Sequence, residues 1–202
     1  MHMQIVGSLG CSPIVFECIA SINQLTSIMR SRYSNDLPLE LASVPERLLE
    51  QLEAAHQRPG IAEDTPAGKF VETTTINIAK LYRVAALISL HRYVLLTPTN
   101  SPDIKYLVTK GLEDMEQLAS HTPPWPLFIV ACEVIGDEQR LPILNTLDKM
   151  AKGKITQNMV IVRNIVETVW RWIDLNQYQD PTTTRIDWKE LIKDRFQIPS
   201  FI

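Results

Sequence analysis

The residues best suited to catalysis or metal binding are few and scattered in this sequence. Its three cysteines, Cys11, Cys18 and Cys132, lack the paired CxxC spacing of a structural zinc site, and their odd number gives no disulfide framework. No glycine-rich phosphate loop, GxSxG nucleophile motif or HExxH zinc motif occurs. We therefore expect reduced intracellular thiols, no cofactor, no bound metal and no enzymatic activity.

Two single residues carry what remains of a catalytic hypothesis. His91 lies in an apolar segment, where a histidine is more often a structural residue with a partner than a base or a metal ligand. Cys132 has an acidic neighbour and no nearby cation in the sequence to stabilise a thiolate, which favours a packed thiol over a nucleophile. The acidic cluster Glu113-Asp114 with Glu116 is typical of a solvated helix face rather than a metal site.

The charge balance restricts the partners of the chain. Its 202 residues include 20 Lys and Arg against 23 Asp and Glu, a formal net charge of −3, whereas binding to duplex DNA needs a clustered excess of basic residues. The uncharged run at 84–91 is far too short to cross a bilayer, and no secretion signal opens the chain. We expect no direct nucleic-acid contact and no membrane association. Residues 1–3 resemble a cloning remnant, which suggests an excised fragment.

Proline punctuation and hydrophobic period predict helices in the first half of the chain. A Ser-Pro start predicts a helix over 13–32, and a capping box at Ser43 and Glu46 predicts a second, amphipathic helix. Pro and Gly interrupt residues 57–71, which predicts a flexible loop. Residues 73–96 are apolar around nearly the whole circumference, so this segment is predicted to be a central core helix packed by others.

The second half continues the helical pattern. Helices are predicted over 101–119, from Pro126 to 135, over 137–153 and over 155–173, with a last short helix capped by Asp187 and Glu190. The segment after Pro126 would also suit a buried strand, but no other segment offers a strand partner. The sequence predicts one all-α domain of about eight helices over residues 1–202.

Several short motifs in a fixed order carry a family resemblance over nearly the whole chain. They are Gly10-Cys11-Ser12-Pro13 with Ile19, Ile22 and Leu25; Tyr82-Arg83-Val84-Ala85-Ala86-Leu87-Ile88 with Leu90, Arg92 and Tyr93; Trp125-Pro126-Leu127-Phe128-Ile129-Val130-Ala131-Cys132-Glu133; Arg140; Val169-Trp170; and Asp187-Trp188. With these motifs the chain resembles the C-terminal part of the regulatory domain of fungal-specific zinc-cluster transcription factors.

The resemblance implies a division of labour between this chain and the rest of a larger protein. In that family a cluster of six cysteines binds two zinc ions and reads DNA, while the helical region controls activity. Three scattered cysteines cannot form that cluster, so the DNA-binding part is expected outside this chain. The implied setting is the nucleus. The expected partners are the remainder of the same transcription factor, a second copy in a homodimer, a coregulator protein or a small apolar effector.

Aromatic residues supply most of the candidates for contact with a ligand or a partner. Trp125 is either the wall of an effector pocket or an aromatic anchor at the start of a core helix, and the anchor is favoured. Trp170 and Trp172 are two residues apart on a helix whose core stripe is complete without them, so at least one is expected at the surface or an interface. The candidates are Trp125, Phe128, Cys132, His91, Trp170 and Trp172.

Two functional hypotheses follow. The first is a regulatory domain that responds to a small apolar ligand or a corepressor, and the second is a structural helical scaffold for self-association. A closed apolar cavity above about 300 Å³ would favour the first, and a large flat apolar patch would favour the second.

Overall fold

The computed structural model describes residues 2–32, 36–60, 65–118, 121–151, 156–176 and 188. The chain divides into two compact units, Met1–Thr97 and Pro98–Ile202. Within the described ranges nearly all regular structure is helical, which confirms the predicted all-α class. The last short helix, predicted near Asp187 and Glu190, lies outside these ranges except for Trp188.

The described residues of the first unit form three α-helices and a small parallel strand pair. Its elements are β1 (His2–Gln4), α1 (Pro13–Ser31), a 3₁₀ turn (Leu39–Leu41), α2 (Val44–Glu53), β2 (His56–Arg58) and α3 (Pro66–Tyr93). Helix α1 packs against both α2 and α3, and α2 packs against α3. The apolar stripe of α1 and almost every residue of α3 from Leu81 to Tyr93 are buried, so α3 is a core helix as predicted.

One glutamine joins the strand pair to the helices. The Oε1 atom of Gln57 in β2 accepts a hydrogen bond from the backbone N–H of Ser12 at 2.7 Å, and its Nε2 donates to the carbonyl of Ala79 in α3 at 2.7 Å. The register of the strands pairs residue 3 with Gln57. The two hydrogen bonds of Gln57 therefore connect the start of α1 and the middle of α3 to β2.

The strand pair and the start of α3 correct two predictions about the first unit. No strand was predicted, but residues 56–58 form β2 beyond the end of α2 at Glu53, where Arg83 donates from Nη1 to the carbonyls of residues 52 and 53. The predicted loop at 57–71 is shortened from both sides, because β2 extends to Arg58 and α3 begins at Pro66. The hydroxyl of Thr65 caps that helix by accepting from the N–H of Gly68 at 3.0 Å.

The second unit surrounds one short apolar helix. Its elements are α4 (Pro102–Leu118), α5 (Pro124–Cys132), α6 (Asp137–Ala151) and α7 (Thr156–Asn176). Helix α5 packs against α4, α6 and α7, and all its residues from Trp125 to Cys132 are buried. Gly111 of α4 makes the close approach possible, because a Cβ atom there would lie 2.7 Å from Cγ2 of Val130.

The start of α5 differs from the prediction, which placed the first helical residue at Pro126. The helix begins at Pro124. The first four N–H groups of a helix have no partner within it, so prolines in the first turn remove no intrahelical hydrogen bond. No helix among the described residues is long and apolar enough to cross a membrane.

Candidate interaction site

The histidine proposed as a ligand or partner contact is tied to the end of its own helix. His91 is half-buried in the last turn of α3, and its Nδ1 lies 3.2 Å from the hydroxyl of Thr97. The N–H of Thr97 donates to the carbonyl of His91 at 2.8 Å, and the guanidinium of Arg92 donates to the carbonyl of Thr97. These contacts connect residues 91 and 92 at the end of α3 to Thr97, which follows the helix.

The cysteines are buried thiols. Cys11, Cys18 and Cys132 are all free and at most 4 % exposed. Burial raises the pKa of the Cys11 and Cys18 thiols to about 11, and it raises the pKa of Cys132 well above its ordinary value, with the carboxylate of Glu133 adding to the effect. A thiol with a raised pKa is a poor nucleophile at neutral pH, so the packing role predicted for Cys132 fits its surroundings.

The aromatic residues of α5 lie inside the second unit. Trp125 is 6 % exposed at the first turn of the helix, and Phe128 is fully buried one turn later. The rings of Phe128 and Trp188 meet edge to face with their centroids 4.7 Å apart. The structure therefore places Trp125 and Phe128 in the core around α5, where the anchor interpretation put Trp125.

Trp170 also belongs to this core, which corrects the prediction that the core stripe of α7 is complete without it. It is 5 % exposed, and its indole Nε1 donates to the carbonyl of Ala131 at the end of α5 at 2.8 Å. Helix α7 packs against both α5 and α6, so its buried face is wider than one stripe at alternating spacings of three and four.

A buried arginine lies over one face of that indole. Cζ of Arg140, near the start of α6, lies 5.2 Å from the centroid of the Trp170 ring. Its guanidinium forms a bidentate pair with Asp174 of α7, at 2.9 Å from Nη1 and 2.7 Å from Nη2, and Nη1 lies 3.3 Å from Asp137. The hydrogen bonds from Arg140 hold the pKa of Asp174 below its ordinary value. This cluster joins α5, α6 and α7.

Trp172 is the more exposed member of the tryptophan pair. It is half-buried, and its indole N–H has no hydrogen-bond acceptor among the described residues. Leu175 is 81 % exposed one turn further along α7. Residues three apart lie on one helix face. Trp172 and Leu175 therefore form a small exposed apolar surface, called here the α7 end surface.

A groove between α4 and α6 is a second place where a ligand could lie. Its volume is about 380 Å³. Leu112, Met115 and Pro142 supply apolar lining, and Glu116, Asn145 and Lys149 supply polar groups. None of the six residues proposed from the sequence lines it.

The structure thus separates the six candidates. It brings Trp125, Phe128, Cys132 and Trp170 together around α5, and it places Trp172 at the end of α7 and His91 in the first unit. The sequence contained one signal for the role of Arg140, because this residue is part of the motifs that carry the family resemblance. Its pairing with Asp174 spans 34 residues and has no local pattern. Among the described residues no group of three or more His, Cys, Asp or Glu side chains could hold a metal ion.

Comparison with known proteins assigns the chain to a family. The transcription factor iacI of Pestalotiopsis fici (strain W106-1 / CGMCC3.15140) is 24 % identical over 103 residues, which cover 51 % of this chain and 27 % of that protein. The match thus spans about a quarter of the length of this curated relative. No solved structure matches the chain significantly. A family described as the fungal specific transcription factor domain matches residues 2–202, and the chain belongs to this family.

Proposed function

We propose that this chain is the regulatory domain of a nuclear transcription factor and that it controls activity by binding another protein through the α7 end surface. The family match over residues 2–202 is the observation that carries the regulatory role. On this proposal the chain is not an enzyme, and DNA is bound by a zinc cluster elsewhere in the factor.

The α7 end surface supports association as the means of control. Leu175 is 81 % exposed beside the half-buried Trp172, whereas Trp170, two residues earlier, is committed to the core by its hydrogen bond to Ala131. Truncating a buried tryptophan would cost about 3–5 kcal/mol of stability through the cavity it leaves, so such a variant would report on folding as well as on association. A tryptophan that is half outside a core, next to an exposed leucine, is instead the type of residue that dominates the energy of protein contacts.

The partner we propose is the remainder of the same transcription factor or a second copy of the chain. Contact with the rest of the factor would let the regulatory domain restrain or release the DNA-binding part. A scaffold that associates without sensing any ligand is the alternative. The two differ in whether a small molecule changes the association.

The test compares Trp172→Ala with Val160→Ala. Val160 is exposed on the same helix at 52 % and lies more than two turns away from Trp172, so it is a matched control for loss of an exposed apolar side chain. Self-association is measured by sedimentation equilibrium, and control of transcription is measured by a reporter under the full-length factor.

We expect Trp172→Ala to weaken association about tenfold or to change reporter output, with far-ultraviolet circular dichroism unchanged. Val160→Ala should behave as the unmodified chain in both assays. Unchanged association and unchanged reporter output in Trp172→Ala would overturn the proposal.

A further inference from the structure

We infer that the groove between α4 and α6 binds a small zwitterion with an apolar body, the chemistry of an amino acid with an aliphatic or aromatic side chain. The inference deepens the proposed function and rests on it for the regulatory consequence of binding. Binding itself is a property of the described groove and is measured on this chain alone.

Part of the groove lining is apolar. Met115 is 2 % exposed and Leu112 is half-buried on α4, and Pro142 of α6 lies on the opposite side. Proline has no N–H, and the hydroxyl of Thr146 donates to the carbonyl of Pro142 at 2.9 Å. This part of α6 therefore presents hydrocarbon to the groove, which suits the apolar body of a ligand.

Some of the polar groups of the lining are already engaged. Glu113 is paired with Lys110 at 2.8 Å, and the hydroxyl of Thr109 donates to the carbonyl of Lys105 at 2.9 Å. With the Thr146 hydroxyl also used inside α6, these side chains have partners of their own in the absence of a ligand.

Three other lining residues have no such partner in the part of the chain that the structure describes. Glu116 of α4 and Asn145 and Lys149 of α6 form neither a hydrogen bond nor an ion pair through their side chains with any described residue. Asn145 and Lys149 are four residues apart, so they share one face of α6. The groove thus offers a carboxylate on one helix and an amide with an ammonium on the other.

This arrangement has the polarity of a zwitterion. The ammonium of a ligand would pair with Glu116, its carboxylate would accept from Lys149 and Asn145, and its apolar body would cover Leu112 and Met115. A volume of about 380 Å³ lies within the usual range of small-molecule sites, about 300–1,000 Å³. The side chains of Glu116 and Lys149 are exposed, so a ligand with a single charge would gain a charge-assisted contact with only one of them, whereas a zwitterion would gain both.

The test titrates the chain with L-phenylalanine and with two analogues that each lack one charge. Phenethylamine lacks the carboxylate, and 3-phenylpropanoate lacks the ammonium. Binding is followed by ¹H–¹⁵N correlation spectra and by calorimetry, with L-leucine and L-tryptophan as further zwitterionic probes. We expect at least one zwitterionic probe to bind about tenfold more tightly than phenethylamine and 3-phenylpropanoate. The chemical-shift changes on binding should be centred on Leu112 and Thr146.

Charge-removing variants locate the binding. Glu116→Gln and Lys149→Gln should each weaken binding about tenfold. Their controls, Glu138→Gln and Lys105→Gln, change exposed residues of the same two helices outside the groove and should leave binding unchanged.

Three results would overturn the inference: no binding of any zwitterionic probe, equal binding of zwitterions and singly charged analogues, or binding that is insensitive to Glu116→Gln and Lys149→Gln. These results are independent of the association measured at the α7 end surface. Conversely, if Trp172→Ala changes neither association nor reporter output while zwitterions still bind, the proposed function is wrong and the assignment of the groove is unaffected.

Discussion

Replacing Trp170 by Phe tests whether α7 is anchored to the end of α5. The indole N–H donates to the carbonyl of Ala131 at 2.8 Å, and the guanidinium carbon of Arg140 lies 5.2 Å from the ring centroid. Phenylalanine keeps an aromatic ring at the site but has no donor and a smaller face. The substitution therefore removes the hydrogen bond and weakens the cation–π contact without introducing a charge.

The expected loss in the free energy of unfolding follows from three contributions. The buried hydrogen bond is worth about 0.5–1.5 kcal/mol. The smaller ring at a site only 5 % exposed leaves a cavity that costs roughly 1 kcal/mol. The cation–π contact with Arg140 is worth about 1 kcal/mol, and the smaller ring loses part of it. Together they predict a destabilisation of about 2–3 kcal/mol.

Urea unfolding followed by tryptophan fluorescence measures this loss in the right part of the chain. All four tryptophans, Trp125, Trp170, Trp172 and Trp188, lie in the second unit, so the signal reports on that unit. Trp172→Phe is the control. Because Trp172 is half-buried and its indole has no hydrogen-bond partner among the described residues, it should lose less than about 1 kcal/mol. Equal losses in the two variants would refute the anchoring role of Trp170.

Three further predictions address the core around α5, the ion pair between Arg140 and Asp174, and the absence of zinc binding and DNA binding. Trp125→Ala should cost about 3–5 kcal/mol in thermal or urea unfolding, because a buried aromatic ring is replaced by a cavity; an unchanged midpoint would make Trp125 an exposed contact residue. Arg140 lowers the pKa of Asp174 below its ordinary 3.8, so the stabilisation is complete above that value and is lost as the pH falls through the lower folded-state pKa. The stability advantage of the unmodified chain over Asp174→Asn should therefore shrink on acidification, and an advantage independent of pH would contradict the ion pair. The dialysed chain should contain no stoichiometric zinc by elemental analysis and should give no salt-dependent mobility shift with duplex DNA.

Local patterns in the sequence predicted most helices closely. The Ser-Pro start and apolar stripe of α1 predicted 13–32, and the helix runs from Pro13 to Ser31. Caps, prolines and period act within a few residues, so they are readable without tertiary structure.

Contacts between distant segments were not predictable in the same way. The strand at His56–Arg58 consists of three polar residues, so it shows no alternation of apolar and polar residues in the sequence. Its pairing partner lies more than fifty residues earlier. The role of Trp170 depends on α5 and α6 both packing against α7, which a single hydrophobic stripe does not reveal. The groove exists only because α4 and α6 approach each other, so no one segment carries its signal.

A fusion experiment tests the central claim that this chain regulates transcription without contacting DNA itself. The DNA-binding part of the full-length factor is replaced by an unrelated DNA-binding domain, and reporter transcription is compared between this fusion and the same fusion without residues 1–202. We predict that the presence of residues 1–202 changes reporter output and that Trp172→Ala reverses the change at equal protein level. Reporter output that is identical with and without the chain would contradict the account.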